Sequence, residues 1–189
     1  SDLSQEDQIT NLVSKVEDIT DSIDILINNS GITWGSNLGN FPYSAWNKVF
    51  AVNVTGLFHL TQKLLPLLKK KATIESPSKI LNIGSVMGSS PYGDGAYSYS
   101  ASKSAVHHLT RILAKELASK RITVNAFAPG PFPSKMTNFA MNSNEKINTI
   151  ADNIPLGRIG CYDDIAAATL LICSSAGNYI TGAIIPIDG

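Results

Sequence analysis

The stretch Ala96-Tyr97-Ser98-Tyr99-Ser100-Ala101-Ser102-Lys103 opens a helical pattern that continues to Lys120. An apolar run, Lys79–Gly84, precedes it across a Gly- and Ser-rich loop, and a second run, Arg121–Phe127, follows it directly. A nearly continuous apolar run is typical of a strand buried on both faces of a parallel sheet. The order strand, helix, strand therefore predicts a parallel βαβ unit whose helix begins at this stretch.

The same alternation extends upstream of this unit. An amphipathic helical pattern ends at about Thr20, and the apolar run Ile23–Asn28 then predicts a short buried strand. From Tyr43 to Lys71 the pattern is helical again, and we expect two pieces that divide around Asn53–Gly56.

Downstream, the pattern predicts a helix from Asp163 and a last strand over Ala183–Ile187. Ser134–Asp152 is polar with weak helical periodicity, and we expect a mobile surface segment there. The chain shows neither a linker nor an internal repeat. We therefore predict an α/β fold with a mostly parallel sheet, in a single domain that spans residues 1–189.

The composition indicates an ordinary globular protein of 189 residues, with 43% apolar residues, 16% charged residues and a formal net charge of zero. A neutral chain offers no electrostatic basis for binding nucleic acid or an anionic membrane. We find no run long enough to span a membrane and no pattern of a signal peptide. Cys161 and Cys173 are expected to be buried free thiols in a reducing compartment, which favours the cytoplasm.

Tyr99 and Lys103 are four residues apart and therefore share one face of the predicted helix. A free tyrosine has a pKa near ~10. Because a nearby ammonium group favours the phenolate, we expect Lys103 to lower the pKa of Tyr99 and make it a usable acid and base. The alternative interpretation is a tyrosine at a helix start beside a solvated lysine.

Ligands of open α/β sheets bind outside the carboxyl ends of the strands. Four such ends carry distinctive residues, namely Asn28–Gly31, Ser85, Pro129-Gly130 and Asp188-Gly189. The fold would bring Ser85 to the edge where the helix of Tyr99 begins. A hydroxyl, a phenol and an ammonium group together suit the polarisation and protonation of a carbonyl oxygen. The sequence shows no cluster of metal ligands, and no metal site is predicted.

Five motifs distributed over the whole chain resemble those of the short-chain dehydrogenase/reductase family. They are Asn28-Asn29-Ser30-Gly31 (similar to N-N-A-G), Asn53-Val54-Thr55-Gly56 (N-V-x-G), Ile83-Gly84-Ser85-Val86-Met87-Gly88 (I-S-S-x-x-G), Tyr99-Ser100-Ala101-Ser102-Lys103 (Y-S-A-S-K) and Pro129-Gly130 (P-G). They occur in the family's order and at compatible spacing. The resemblance implies a Rossmann-like, doubly wound sheet, NAD(P) as cofactor, and an oxidoreductase that interconverts a ketone and a secondary alcohol.

The resemblance also implies a role for four catalytic residues. Tyr99 would donate a proton to the substrate oxygen during reduction and accept one during oxidation. Lys103 would lower the pKa of Tyr99 and hold the nicotinamide ribose. Ser85 would hydrogen-bond the substrate carbonyl, and Asn53 would hold a water that links Lys103 to solvent. Asn53 as a helix cap or kink, and Ser85 as a turn residue, are the alternatives.

A further set of residues would bind the cofactor by the same resemblance. Ser30 and Gly31 would allow close approach, the backbone of Phe132 would serve the carboxamide, and Asp2 would contact the adenine. Ser134 as a helix N-cap and Asp2 as a terminal residue without a role are the alternatives. The full set is Asp2, Leu3, Asn28, Asn29, Ser30, Gly31, Tyr99, Lys103, Pro129, Gly130, Phe132 and Ser134.

We assign no catalytic or binding role to the histidines or to two further tyrosines. His59, His107 and His108 fall on predicted helices away from strand ends, and we interpret them as structural or surface residues. Tyr92 and Tyr97 could face a substrate, but packing within the loop is favoured.

The family's glycine-rich T-G-x-x-x-G-x-G loop has no counterpart in this sequence. If Asp2 closes the third strand of the fold, about 60 residues precede it, at ~30 per βα unit. Without them the pyrophosphate would lose its helix N-terminus, and Ile23–Asn28 would become an exposed sheet edge. We therefore expect the natural polypeptide to extend upstream, where an organellar targeting signal could also lie.

The stretch Ala128–Thr137 resembles a subgroup of the family, the 3-oxoacyl (β-ketoacyl) thioester reductases. This resemblance implies a 3-oxoacyl thioester substrate and favours NADPH over NADH. A sugar, polyol, steroid or other small alcohol is the alternative substrate, and a non-catalytic binding or scaffold protein is the alternative of another class. Family members pair through helices equivalent to Tyr43–Lys71 and Tyr99–Lys120, which implies a homodimer or homotetramer.

Overall fold

A computed structural model describes residues 1–91 and 95–189 of the chain. These residues form a sheet of four parallel strands in the order β1-β2-β3-β4. The strands are Ile25–Asn28 (β1), Ser78–Ile83 (β2), Ile122–Pro129 (β3) and Ile184–Ile187 (β4). The predicted α/β fold with a parallel sheet is confirmed.

Helices connect the strands. The α-helices of the described residues are Glu6–Ile19 (α1), Tyr43–Phe50 (α2), Leu57–Lys69 (α3), Tyr97–Leu117 (α4), Asn144–Ala151 (α5) and Tyr162–Cys173 (α6). None of them is long and apolar enough to cross a membrane.

The core lies on both faces of the sheet. Ile80 and Val124 are paired in register and pack with side chains of α1, α3 and α4. Leu81 and Phe127 pack on the other face, against Ile172 of α6. Because β2 and β3 are covered on both faces, their sequences are nearly continuous apolar runs. This double covering is the doubly wound, Rossmann-like arrangement that the sequence predicts.

Strand β1 lies at the edge of the four-stranded sheet, as we expected for Ile23–Asn28 in this sequence. Two of its apolar side chains are partly open to solvent, with Ile25 44% and Ile27 43% exposed. An apolar edge strand of this kind offers unpaired backbone groups to another strand.

The helical region predicted over Tyr43–Lys71 is divided where expected. A π-helical turn, Ala51–Gly56, separates α2 from α3. Such turns are rare and frequently occur at functional sites. Gly56 ends the turn and packs directly against the backbone of Leu3. A Cβ atom at this position would lie 2.2 Å from the Leu3 carbonyl oxygen.

In the second half of the chain, the structure adds a helix to one predicted surface segment and contradicts the predicted burial of Cys161. The polar segment Ser134–Asp152 contains a helix, α5, whose N-cap is Ser143: its hydroxyl accepts a hydrogen bond from the Lys146 amide at 3.3 Å. Cys161 is an exposed free thiol, because it occupies the N-cap position of α6. Cys173 is partly buried, as its position on the apolar face of α6 suggests.

Candidate active site

Ser85, Tyr99 and Lys103 meet at the carboxyl end of β2. Ser85 lies two residues after the end of β2, and the first turns of α4 carry Tyr99 and Lys103. The Lys103 ammonium group donates a hydrogen bond to the Ile83 carbonyl oxygen at 2.6 Å. The same ammonium group lies over the Tyr99 ring, 5.6 Å from the ring centroid. The strand end and the helix start that the sequence singles out are therefore brought together.

The pKa of Tyr99 moves in the direction opposite to our expectation. Burial raises it above the usual value near 10, and a hydrogen bond from Ser85 offsets only part of this effect. The Lys103 ammonium group lies over the aromatic ring and donates to a strand carbonyl, and it does not offset the effect of burial on Tyr99. The phenol is therefore protonated at neutral pH.

Lys103 is itself perturbed by burial. The residue is only 4% exposed, and this burial lowers the pKa of its ammonium group to about 8. The alternative of a solvated lysine is therefore wrong. A buried amine whose pKa lies near the working pH is a common feature of functional sites.

The Ser85 side chain is fixed by its own loop. Its hydroxyl oxygen accepts a hydrogen bond from the Met87 amide at 3.2 Å, which caps the short helical turn Val86–Gly88. Its hydroxyl hydrogen is thus left for the hydrogen bond to Tyr99 described above. The turn-residue interpretation and the catalytic interpretation of Ser85 are therefore compatible.

His107 does not lie away from the strand ends as predicted. It is buried, and its Nε2 atom accepts a hydrogen bond from the Ser85 amide at 3.4 Å. The sequence contained a signal for this position: Tyr99, Lys103 and His107 recur every four residues and so share one face of α4. His59 and His108 agree with the prediction, since His59 faces Glu6 at 3.6 Å and His108 is exposed.

Asn53 connects the π-helical turn to the loop after β1 and to α4. Its carboxamide both accepts from the Ile32 amide, at 2.9 Å, and donates to the Ile32 carbonyl, at 3.0 Å. It also donates to the Ser102 hydroxyl at 2.9 Å, and Ser102 donates to the Tyr99 carbonyl at 2.7 Å. Ser102 is fully buried, and no motif or spacing in the sequence indicates this role.

Asn28 faces the interior, although we expected it to line the cofactor. Its amide donates to the hydroxyl of Thr61 at 3.0 Å and to the Asn82 carboxamide at 2.9 Å. Asn82 in turn donates to the Thr110 hydroxyl at 2.9 Å. This buried polar chain joins α3, β1, β2 and α4, and no periodic pattern in the sequence indicates it.

The residues after Asn28 are open. Asn29 and Ser30 are exposed at the carboxyl end of β1. Gly31 lies close to the catalytic candidates, because a Cβ atom there would be 3.5 Å from both the Asn53 carboxamide oxygen and the Lys103 Nζ atom. A larger side chain at Gly31 would occupy the space beside the ammonium group.

The remaining residues predicted to bind the cofactor lie at and after the end of β3. Strand β3 continues through Pro129, which pairs with Ile187, so the regular structure extends two residues farther than predicted. The Phe132 carbonyl oxygen accepts a hydrogen bond from the Thr137 hydroxyl at 2.7 Å. Ser134 is exposed and bonds with Thr137, so it closes a turn rather than capping a helix.

The first residues of the chain are ordered by local contacts. The Asp2 carboxylate accepts a hydrogen bond from the Ser4 amide at 2.9 Å, and this bond lowers the pKa of Asp2. The Asp2 amide donates to the Gln8 side chain at 2.7 Å. Leu3 packs against the core between α1 and the Gly56 turn.

Tyr97 packs on Phe41 in an edge-to-face arrangement, with ring centroids 5.4 Å apart, and stays 38% exposed. Tyr92 lies outside the described residues. Within the described ranges, no group of three or more His, Cys, Asp or Glu side chains could hold a metal ion.

Comparison with known proteins identifies relatives over the full sequence. A family model described as enoyl-(acyl carrier protein) reductase matches residues 1–189. The rhamnolipids biosynthesis 3-oxoacyl-[acyl-carrier-protein] reductase of Pseudomonas aeruginosa is 44% identical over 189 residues, which are the whole chain and 74% of that protein. The 3-oxoacyl-[acyl-carrier-protein] reductase FabG of Thermotoga maritima is 37% identical over 188 residues, 99% of the chain and 73% of that protein.

A solved structure agrees with these relatives. The Pseudomonas aeruginosa RhlG/NADP active-site complex superimposes with a TM-score of 0.96 at 44% identity, over 100% of this chain and 74% of that chain. The superposition covers every residue of the chain. The chain therefore belongs to the short-chain dehydrogenase/reductase family and is an NAD(P)-dependent oxidoreductase.

Proposed function

We propose that this protein reduces a 3-oxoacyl thioester to the 3-hydroxyacyl thioester with NADPH, or catalyses the reverse reaction. The observation that carries the chemistry is the meeting of Ser85, Tyr99 and Lys103 beside the end of β2. The substrate class is supported by the two relatives described above, both of which are named as 3-oxoacyl-[acyl-carrier-protein] reductases.

Tyr99 acts as the general acid of the reduction. Burial raises its pKa, so the phenol holds its proton at neutral pH and can donate it. The proton goes to the substrate carbonyl oxygen as the carbonyl carbon accepts a hydride, so the C=O double bond becomes a C–OH single bond. The nicotinamide, when bound, supplies that hydride. In the oxidation of an alcohol, Tyr99 takes the proton back.

Ser85 orients and polarises the carbonyl group. Because its oxygen already accepts from the Met87 amide, its hydroxyl is left as a donor, and the hydrogen that bonds Tyr99 in this structure would be donated to the substrate carbonyl instead. Two donors, Ser85 and Tyr99, would then converge on one carbonyl oxygen. Donors that are fixed before the reaction stabilise the developing negative charge without reorganisation.

Lys103 and Asn53 support the acid. The Lys103 ammonium group is held by the Ile83 carbonyl and keeps further hydrogen atoms for the nicotinamide ribose and a water. The Asn53 carboxamide donates its two amide hydrogens to the Ile32 carbonyl and the Ser102 hydroxyl. Its oxygen accepts from the Ile32 amide and has one further acceptor site beside Gly31. A water on this oxygen would connect Lys103 with solvent and return a proton to Tyr99.

The residues around the strand ends fit a dinucleotide. Gly31 leaves open the space beside Lys103 Nζ that a Cβ atom would fill. Asn29 and Ser30 present open backbone and polar side chains at the end of β1, and Pro129-Gly130 lies partly exposed at the end of β3. Asp2 and Leu3 would meet the adenine, Phe132 and Ser134 the nicotinamide side. NADPH is proposed over NADH because the superimposed neighbour is an NADP complex.

The decisive experiment measures nucleotide oxidation with a panel of carbonyl compounds. We expect NADPH oxidation with acetoacetyl thioester, at a higher kcat/KM than with sugar, polyol-derived or steroid ketones. A preference for one of these ketones would replace the substrate class and keep the reaction. The absence of turnover with every compound and both nucleotides would contradict the proposal and favour a binding or scaffold protein.

We also propose a homo-oligomer of two or four copies in the cytoplasm. Helices α3 and α4 expose large apolar side chains, among them Phe58 and Ile112, as an interface between copies requires. The exposed thiol of Cys161 suits a reducing compartment. Light scattering coupled to size exclusion tests the assembly, and a monomer at micromolar concentration would contradict it.

A further inference from the structure

We propose that His107 is a positioning residue, which holds the Ser85 loop so that the Ser85 hydroxyl meets the substrate carbonyl. This inference rests on the proposed function, because it assigns a role in the same site. None of the family motifs described above includes His107. The buried His107 side chain makes three contacts with this loop.

The first contact is the hydrogen bond from the Ser85 amide to His107 Nε2, at 3.4 Å. A backbone amide can only donate, so Nε2 must carry a lone pair rather than a hydrogen. The second contact joins His107 Nδ1 and the Ser89 hydroxyl at 3.2 Å. In a neutral ring with a free Nε2, the hydrogen is on Nδ1, and His107 therefore donates to Ser89. One imidazole thus binds both ends of the loop that begins with Ser85.

The third contact is steric. A Cβ atom at Gly84 would lie 2.2 Å from His107 Nε2, and a Cβ atom at Gly88 would lie 2.8 Å from His107 Cε1. The ring therefore lies directly against the backbone at both glycines. Because both positions lack a side chain, the imidazole can reach the loop from α4. Gly84 and Gly88, on either side of Ser85, thus leave free the space that the His107 imidazole occupies.

The charge state is consistent with this arrangement. His107 is 3% exposed, and burial lowers the pKa of its ring, an effect to which the cations Arg111 and Lys103 add. The neutral form persists at neutral pH and keeps Nε2 available to Ser85. A cationic ring would lose that acceptor and place a second positive charge near Lys103.

The chain offers variants that separate the two polar contacts. H107Q keeps an acceptor at the position of Nε2, H107N keeps a donor at the position of Nδ1, and H107L keeps neither. We expect H107L and H107N to lower kcat about tenfold, because small displacements of a positioned group are costly. H107Q should return kcat to within about threefold of the wild-type value. H108Q, at the exposed neighbouring histidine, should leave kcat unchanged.

A double-mutant cycle with Ser85 tests whether His107 acts through that residue. In an S85A background, H107L should cause little further loss of kcat, since the hydroxyl that it positions is gone. The NADPH dissociation constant and Tm are measured for each variant. A wild-type kcat in folded H107L, or a full tenfold loss on top of S85A, would overturn the proposal.

Nuclear magnetic resonance of the protein without nucleotide gives a readout that does not depend on activity. The ¹⁵N shifts of His107 should show a neutral ring with its hydrogen on Nδ1, and H107L should speed hydrogen exchange at the Ser85 amide. A hydrogen on Nε2 would overturn the inference. If these signals are as expected and no carbonyl compound is reduced, the proposed function fails while the His107–Ser85 link stands.

Discussion

The Nζ atom of Lys103 lies over the aromatic ring of Tyr99, 5.6 Å from its centroid. The ammonium group is held there by the carbonyl of the strand end, at 2.6 Å, and not by the phenol hydroxyl. Burial is the larger influence on both groups: it raises the pKa of the Tyr99 phenol and lowers that of the Lys103 ammonium group. The pair is therefore arranged as a protonated acid beside a buried cation, which suits reduction of a carbonyl.

Replacing Tyr99 by Phe should abolish most of the turnover. The variant keeps the ring that lies under Lys103 but lacks the proton donor, and general acid catalysis contributes roughly 10²–10⁴-fold to rates. We expect kcat for ketone reduction to fall by about that factor. Fluorescence titration should show that the affinity for NADPH changes by no more than a few-fold.

The matched control is Tyr97→Phe, two residues earlier on the same helix. Its ring packs edge-to-face on Phe41, and this contact does not need the hydroxyl. Turnover of the Tyr97 variant should be close to that of the wild type. Equal losses in both variants would argue that the helix start, and not the Tyr99 proton, limits the rate.

The pH dependence of reduction should reveal the buried lysine. Burial lowers the pKa of Lys103 to about 8, so the ammonium group is charged below that pH and neutral above it. Tyr99, whose pKa is raised, keeps its proton over the same range. We expect kcat/KM for the ketone to be level below about pH 8 and to fall by about tenfold per pH unit above it, because kcat/KM reports the free enzyme.

The Lys103→Arg variant identifies the group responsible for that fall. A guanidinium group remains charged well above pH 10. The variant should be less active, since its geometry differs from that of an amine, but its kcat/KM should stay level to pH 9.5. A wild-type profile without a break near pH 8, or an unchanged break in the arginine variant, would argue against a lysine with a lowered pKa.

The sequence predicted the catalytic residues at the end of β2 but not the inward orientation of Asn28 at the end of β1. The apolar runs of β2 and β3 and the residues after them were sufficient to bring Ser85, Tyr99 and Lys103 to one edge. Helix α5 was not predicted, because its segment is mostly polar and a serine such as its N-cap, Ser143, is also common in ordinary loops.

Contacts between distant elements could not be predicted from spacing. The buried link from Asn53 to Ser102 joins residues 49 positions apart, and the link from Asn28 to Asn82 joins residues 54 apart. The direction of the Tyr99 pKa change was also inaccessible. It depends on how burial and the position of one ammonium group compete, and the sequence gives only the spacing of the two residues.

Removing the Ser102 hydroxyl should destabilise the fold and weaken the positioning of Tyr99. Ser102→Ala deprives a buried Asn53 amide hydrogen of its acceptor and the Tyr99 carbonyl of a donor. We expect the free energy of unfolding to fall by about 1–3 kcal/mol, the cost of an unsatisfied buried group. Because the lost bonds position Tyr99, kcat should fall several-fold while the KM for NADPH changes less.

Ser100→Ala is the control for this prediction. Ser100 is on the same turn of α4 but is only partly buried. Its replacement should change the free energy of unfolding by no more than about 0.5 kcal/mol. Urea denaturation of both variants decides the matter, and equal effects would assign the loss to the helix rather than to the Asn53 link.

Gly56 should not tolerate a side chain, although it lies in a helical segment. In an exposed helix, alanine is more stable than glycine by roughly 1 kcal/mol. Here a Cβ atom would lie 2.2 Å from the Leu3 carbonyl oxygen, which is backbone and cannot rotate away. We expect Gly56→Ala to lower the free energy of unfolding by about 1–3 kcal/mol, because overpacking outweighs the gain in propensity.

Gly39→Ala provides the opposite case, since a Cβ atom there meets nothing within 4 Å. It should leave the midpoint of urea unfolding nearly unchanged or raise it slightly.

In Gly56→Ala the displaced segment carries Asp2 and Leu3, so the dissociation constant of NADPH should rise together with the loss of stability. A Gly56 variant as stable as the Gly39 variant would show that the Leu3 backbone moves freely, and the proposed adenine contact would then lose its structural support.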